Sequence, residues 1–264
     1  MKLKNKIIWI TGASSGIGKA LAIELSKYNN KLILSSRNET NLLAVKNECQ
    51  NTENIKILTL DLEDYKSLSK VTSLAISLFG KIDILINNGG ISQRALVIDT
   101  TIEVDKRIMD VNYMGTIALS KAILPHFISQ KSGHYVVVTS IVGKVATPVR
   151  SSYSASKHAL HGFFDSLRAE TYKHNIDVTL ILPGYVRTQI SYNALVGDGS
   201  VQNKMDKATD HGILPEIFAK KMIRAIEKKK REVIIGGTKE VASIYLKRFF
   251  PGVLAKLVRK VNVT

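Results

Sequence analysis

Tyr153 stands four residues before Lys157, in the run Tyr-Ser-Ala-Ser-Lys. On a helix those positions share a face, which puts the lysine ammonium one turn from the phenol. A free tyrosine titrates near ~10, too high for efficient proton exchange at neutral pH. A cation fixed nearby favours the phenolate and lowers that value. Ser140 ends a β-branched run upstream, and its hydroxyl can hydrogen-bond a substrate oxygen in the same crevice. By itself Tyr-x-x-x-Lys is a common spacing and more often marks a surface pair. Joined to a strand-end serine, it points to proton transfer at a substrate oxygen.

A second chemistry-bearing feature lies near the start. Thr11-Gly12-Ala13-Ser14-Ser15-Gly16-Ile17-Gly18 joins a strand-like run to a helix-like one. Glycines at such a turn let backbone N–H groups approach a pyrophosphate at the helix N-terminus. The spacing is G-x-x-x-G-x-G rather than the usual dinucleotide G-x-G-x-x-G. The next strand ends Leu34-Ser35-Ser36-Arg37-Asn38, without the acidic residue that NAD binders place on the ribose. Arg37 can instead fork onto a 2′-phosphate, although a solvated loop arginine would read the same way. NADP(H) is therefore the expected cofactor, with NAD(H) the alternative.

These residues need a scaffold. Strand-like runs fall at 7–11, 32–36, 55–60, 82–87, 135–140, 178–183 and 233–235, each read as a continuous apolar run. Helical patterns at 17–28, 39–50, 65–79, 101–128 and 154–173 separate them. Such alternation predicts an α/β doubly wound parallel sheet of about seven strands, helices on both faces, in a single domain over 1–240. Ligands then bind at the carboxyl ends of the strands. Thr11–Gly18, Arg37, Asp61, Asn87–Gly90, Ser140 and Pro183–Thr188 all follow strand ends. The stretch 189–213 lacks periodicity and reads as a mobile loop over the site.

The 264 residues are 45% apolar, enough for a large core, and carry a net charge of +16. Lysines dominate the basic residues, 28 against 10 arginines, and are spread along the chain. No Arg/aromatic cluster appears, so a solvated surface is expected rather than a nucleic-acid partner. Cys49 is the only cysteine, which excludes a disulfide framework or thiolate metal site and fits a reducing compartment. His158, His161 and Glu170 lack further ligands and read as helix-surface or interface residues, so no metal is expected. Asp83 reads as a cap or pair, and Cys49 as packing. Residues 241–264 form a basic amphipathic extension with no acidic residue, broken by Pro251-Gly252. Its apolar side either docks on the body or a partner subunit, or lies on a membrane surface. No signal peptide or transmembrane run is evident, and the chain starts at its first strand, so the expected location is cytoplasmic, at most peripheral to a membrane.

Taken together, Thr11–Gly18, Asp61-Leu62, Asn87-Asn88-Gly89-Gly90, Asn112, Ser140, Tyr153/Lys157 and Pro183-Gly184-Tyr185-Val186-Arg187-Thr188 resemble the short-chain dehydrogenase/reductase (SDR) family over essentially the whole chain. The resemblance implies a Rossmann-like fold and nicotinamide-dependent carbonyl/alcohol chemistry. Tyr153 would be the acid in reduction and the base in oxidation, Lys157 would lower its pKa and hold the nicotinamide ribose, and Ser140 would orient the carbonyl. Asn112 would carry a water-linked proton relay with Lys157. Gly12, Ser14, Ser15, Gly16, Ile17 and Gly18 would cradle the pyrophosphate, Ser36 and Arg37 the adenosine end, and Asp61 and Leu62 the adenine. Asn87, Asn88 and Gly89 would line the cofactor, while Pro183, Gly184, Val186 and Thr188 would cover the nicotinamide. Gly89 departs from the family's alanine, which is read as added backbone freedom. Family members pair through the helix carrying Phe163, Phe164 and Leu167, so a homodimer or homotetramer is implied.

Gly90–Arg94 and Lys157–Phe164 are similar to the dehydrogenase/reductase member-7 type, associated with retinoid and steroid carbonyl reduction. The partner expected is a small apolar carbonyl or alcohol, in a pocket lined by 92–96, 141–149, Tyr185 and 186–212, with Val142, Val145, Val149, Ile190 and Leu195 making it apolar. A 3-oxoacyl-thioester reductase shares the same catalytic set. A non-catalytic cofactor sensor is the alternative of another class, although such proteins typically lose the tyrosine or the lysine.

Overall fold

A computed structural model of the chain describes residues 3–260; residues 1–2, and residues 261–264 of the basic C-terminal segment, lie outside it. Seven strands, β1 (Ile7–Thr11), β2 (Lys31–Ser35), β3 (Ile55–Ile57), β4 (Ile84–Asn87), β5 (Gly133–Val138), β6 (Ile176–Pro183) and β7 (Glu232–Ile235), form one parallel sheet in the order β3-β2-β1-β4-β5-β6-β7. Parallel neighbours need crossovers, and these are supplied by α1 (Gly16–Ser26), α2 (Glu39–Glu48), α3 (Leu68–Phe79), α4 (Ile102–Met109), α5 (Thr116–Ser129), α6 (Ser151–Thr171), α7 (Lys207–Asp210) and α8 (Pro215–Glu227). Two further helices, α9 (Thr238–Phe249) and α10 (Pro251–Val258), follow β7.

Strand side chains alternate between two cores. Ile8 and Ile10 of β1 pack with Leu21 and Leu25 of α1 and Phe218 and Met222 of α8. Ile7 and Trp9 face the other way, toward Leu119, Ile123 and Phe127 of α5 and Leu160 and Phe164 of α6. Because both faces are covered, every residue of β1, β4 and β5 is buried, which explains their unbroken apolar runs. Trp9 keeps its indole N–H satisfied by donating to Ser35 Oγ at 2.9 Å. Asp83 pairs as expected: its Oδ2 accepts from the Ile7 N–H at 2.8 Å and its Oδ1 from Lys81 Nζ at 2.9 Å.

The order reverses between β1 and β4. The loops that leave them at their carboxyl ends diverge to opposite sides of the sheet and open a crevice. One boundary departs from the periodicity in an informative way. The single helix expected over 101–128 is interrupted by a π-helical turn at Asp110–Gly115. Gly115 there lies so close to Leu62 that a Cβ would sit 2.2 Å from the Leu62 carbonyl oxygen. The wider turn shifts the register of the helix and brings Asn112, fully buried, inward at the crevice.

His134, on β5, is buried with Nε2 2.8 Å from Thr179 Oγ1, and burial pushes its pKa down to about 4. Between that value and about 6.5 the unfolded chain binds a proton that the folded chain does not. Stability should therefore fall as pH drops through that window, by up to ~1.4 kcal/mol per pH unit from this group. Urea unfolding of the wild type and of His134→Gln at intervals across the window measures it; the variant should lose most of that slope.

Candidate active site

The glycine loop after β1 is held by steric and conformational constraints. Gly12 and Gly16 have φ of +62° and +53°, where a side chain would be strained. Gly18 is required for space instead, since a Cβ there would lie 2.2 Å from the Gly12 carbonyl oxygen. Thr11 fastens this loop to the one after β4. Its hydroxyl accepts from the N–H groups of Asn88 and Gly89, both at 3.0 Å, and the Asn88 amide donates to the carbonyls of Thr11 (3.0 Å) and Gly12 (3.1 Å).

Above this floor runs a groove of ≈ 520 Å³. Gly12, Ser14, Ser15, Gly16, Ile17, Ser36, Arg37, Asp61, Leu62, Asn88, Gly89, Pro183, Gly184, Val186 and Thr188 line it together with Ser140, Tyr153 and Lys157. The N-terminus of α1 opens onto it, its first N–H groups available for an anion. Two residues expected on the wall lie beneath it. Gly18 is buried against the Gly12 backbone, and Asn87 is buried with its amide donating to Ser120 Oγ at 3.0 Å. Side chains alternate along β4, so its last residue points into the core while Asn88 points out. Gly89 also has another cause than expected: a Cβ there would meet Leu62 Cδ1 at 2.8 Å, so Leu62 fills the place of the missing methyl.

Tyr153, Ser140 and Lys157 converge where β5 and α6 meet. Ser140 sits just past the end of β5, extended, with Oγ accepting from the Val142 N–H at 3.3 Å. Lys157, buried, donates from Nζ to the Val138 carbonyl at 3.0 Å and lies 5.7 Å from the centre of the Tyr153 ring. Burial pushes its pKa down to about 8, so its proton is held less firmly than that of a surface lysine. Tyr153 is pushed up by burial, while the charges of Arg150 and Arg94 and a hydrogen bond with Ser140 act against that rise. The two arginines thus join Lys157 as cations close to the phenol. Asn112 uses its amide on the backbone: Oδ1 accepts from Ile91 N–H (2.8 Å), and Nδ2 donates to the Ile91 carbonyl (2.9 Å) and Ser156 Oγ (3.1 Å). The side chain expected in a relay thereby holds the loop after β4 in place. A Cβ on Gly90 would fall between Asn112 Oδ1 (2.9 Å) and Lys157 Nζ (3.6 Å), so the two groups do lie close together.

A second, larger cavity of ≈ 930 Å³ adjoins the groove, and Ser140, Tyr153, Gly184 and Val186 belong to the walls of both. Val142, Val145, Tyr185 and Ile190 line it as expected, whereas Val149 and Leu195 do not. Leu195 packs with Val104 and Ile108 in a small separate cluster. Val149 adopts a left-handed φ of +57° with its carbonyl accepting from Ala95 N–H at 3.1 Å, a strained conformation for a β-branched residue immediately before Arg150. The remaining wall comes from the C-terminal helices, through Leu246, Leu254, Leu257 and Val258. Of the two docking modes expected for that segment, packing on the body is therefore present.

At the cavity's polar end Asp206 is buried between two arginines. Its Oδ2 is 2.6 Å from Arg94 Nη2 and 3.2 Å from Arg150 Nη2. Segment 189–213 is thereby tied to the loop after β4 and to the start of α6. Backbone contacts at Leu195 with Gln93 and Val201, and at Ile213 with Val186, add further ties. Any opening of this loop has to break the Asp206 pairs. His161, expected at a helix surface or an interface, is buried within the chain, with Nδ1 3.5 Å from Glu232 Oε2. Cys49 is buried and its thiol pushed up by desolvation, as an inert packing residue would be. Among the described residues no group of His, Cys, Asp and Glu is placed to hold a metal ion.

A family profile described as short chain dehydrogenase matches residues 6–195. The chain belongs to the short-chain dehydrogenase family. It is thus an oxidoreductase. Dehydrogenase/reductase SDR family member 7B of Xenopus laevis is 41% identical over 256 residues, covering 94% of this chain and 79% of that protein. A member-7-like protein of Anopheles gambiae is 42% identical over 264 residues, covering 98% and 83%. These relatives agree with the narrower resemblance in Gly90–Arg94 and Lys157–Phe164. Among solved structures, an SDR from Burkholderia phymatum in complex with NAD superposes with a TM-score of 0.82 at 20% identity, over 100% of this chain and 98% of that one. An alcohol dehydrogenase from Thermococcus sibiricus complexed with 5-hydroxy-NADP gives 0.75 at 21%, over 89% and 97%. At such identities the shared property is the fold.

Replacing Asp206 tests the clamp. Asp206→Asn leaves two buried guanidinium groups without their carboxylate, at an expected cost of about 3–5 kcal/mol. Thermal melting should fall accordingly, while a double Arg94→Met/Asp206→Leu variant should recover part of the loss. An unchanged melting temperature for the single variant would mean that the loop is held by other contacts.

Proposed function

We propose that this SDR interconverts a carbonyl and a secondary alcohol on a small apolar molecule, using NADP(H). The supporting observation is the shared wall: Tyr153 and Ser140 face the glycine-floored groove on one side and the apolar cavity on the other. A nicotinamide lying in the groove and a substrate in the cavity would meet at the phenol.

The groove fits such a cofactor. Gly12 and Gly18 let the two loops close into a backbone floor, since a Cβ at either would strike neighbouring loop atoms, and the α1 N-terminus offers N–H groups to a pyrophosphate. Lys157 lines the groove and would hold the nicotinamide ribose. Bound there, the cofactor supplies or accepts the hydride. The chain's own residues do the rest. Ser140 holds the substrate oxygen, Tyr153 Oη gives it a proton in reduction and takes one back in oxidation, and the nearby cations stabilise the phenolate left behind. Arg37 and Ser36 line the groove, and the strand end Leu34–Asn38 that carries them has no acidic residue, which favours a 2′-phosphate. The folds complexed with NAD and with 5-hydroxy-NADP are alike, so this preference rests on Arg37. In this reading the enzyme works in the cytoplasm, at most peripheral to a membrane, as a homodimer or homotetramer.

Turnover of a panel of ketones and acyl thioesters with NADPH and NADH, followed by absorbance, tests the reading. Tyr153→Phe should lower kcat by about 10²–10⁴ with cofactor affinity intact. Because burial holds the phenol protonated, reduction should slow as pH rises through its pKa and oxidation should quicken. Arg37→Glu should turn the preference toward NADH. A wild type that favours NADH by about tenfold, about 1.4 kcal/mol, would refute NADP(H), and an active Tyr153→Phe would refute the proton route.

A further inference from the structure

The C-terminal helices wall the cavity with one side and leave the other uncovered. Leu254 is buried and Leu246 lines the cavity, while Tyr245, Phe249 and Phe250 are 59%, 67% and 62% exposed. Val253 and Leu257 continue this surface along α10, and Leu257 also lines the cavity, which places the surface at the cavity's rim. Basic residues are interleaved with these apolar ones. Tyr245, Arg248 and Phe249 occupy positions i, i+3 and i+4 of α9, Val253, Lys256 and Leu257 repeat that spacing on α10, and Lys260 follows just past its end. Each set therefore forms one stripe. Arg248, Lys256, Arg259 and Lys260 are exposed, and no acidic residue occurs anywhere in 241–264. Lys247 donates to the Lys144 carbonyl and ties α9 to the body beside the cavity.

Bulky aromatics beside lysines and arginines, on short helices lying across a surface, suit the boundary between lipid headgroups and acyl chains. The rings enter the acyl boundary while the cations reach up to anionic headgroups. A second copy of the chain meets this face less well, because two such surfaces would oppose cation to cation with no carboxylate between them. No helix among the described residues is long and apolar enough to cross a membrane, so the contact is a surface one. We infer that α9 and α10 dock on an anionic lipid bilayer and set the mouth of the cavity against it. That the mouth admits substrate rests on the function proposed above, whereas the docking itself does not.

Flotation of the full chain with vesicles separates the two. Binding should be strong to phosphatidylcholine mixed with phosphatidylserine at low ionic strength and weak to phosphatidylcholine alone. It should be released as salt shortens the Debye length to about 3 Å near 1 M. Lys256→Glu/Arg259→Glu should weaken it by roughly fivefold or more for each charge altered. Phe249→Ser/Phe250→Ser should abolish it, with melting temperature and turnover of a water-soluble ketone unchanged. Should either variant misfold, hydrogen exchange on the wild-type chain replaces it, with vesicles expected to protect 245–257. No flotation, flotation indifferent to phosphatidylserine and salt, or a dimer in solution that Phe249→Ser/Phe250→Ser dissolves would each overturn the inference. Flotation, melting and hydrogen exchange do not require the chain to turn over a carbonyl, so failure of the docking leaves the enzymatic reading standing, and the reverse.

Discussion

Everything at the site depends on how closely two backbones approach at the end of the sheet. The Thr11 hydroxyl draws the loop after β4 onto the loop after β1, and Asn88 returns two hydrogen bonds. With those loops in contact there is no room for a Cβ at Gly12 or Gly18, and none at Gly89 while Leu62 occupies the space. The groove's floor is a product of that contact. Neutral hydrogen bonds of this kind contribute modestly one at a time, but two backbone N–H groups left unpaired beside a core would cost considerably more. The strand order makes the contact available, since β1 and β4 are neighbours whose crossovers leave in opposite directions.

A second constraint joins the groove to the cavity. Asp206 draws in Arg94 from the loop after β4 and Arg150 from the start of α6, the helix that carries Tyr153 and Lys157. One carboxylate thus positions segment 189–213 and α6 together, and leaves positive charge beside the phenol. Burial alone would make Tyr153 a poor proton carrier near neutrality, and the arginines oppose that effect. The strained backbone at Val149 falls next to Arg150, at the place where this arrangement demands an unusual chain direction.

Much of this was legible in the chain itself, for physical reasons that differ from place to place. Strands buried on both faces read as unbroken apolar runs, so β1 is bounded by the residues the sequence suggests and the other six by nearby ones. The glycine loop, Ser140 and the Tyr153/Lys157 pair are local motifs whose spacing carries their meaning. Asn87 belongs to a motif whose neighbours face the groove, yet as the last residue of β4 it points inward, and hydrophobic periodicity over 101–128 passes through the π turn without marking it. The Asp206 clamp was not legible at all, because Arg94 lies 112 residues from its partner and Arg150 56. Likewise, the amphipathic character of 241–264 was plain, but not that one of its sides completes the cavity.

The dependence of the cofactor groove on Thr11 can be measured directly. The dissociation constant for NADPH, by titration calorimetry, would be compared among the wild type, Thr11→Ser and Thr11→Val, with melting temperatures recorded alongside. Serine keeps the hydroxyl that receives Asn88 and Gly89, and valine keeps the shape without it. The predicted result is near wild-type affinity for serine and a loss of about tenfold or more for valine, about 1.4 kcal/mol or above. Equal affinity in all three folded proteins would contradict the claim that this contact builds the groove.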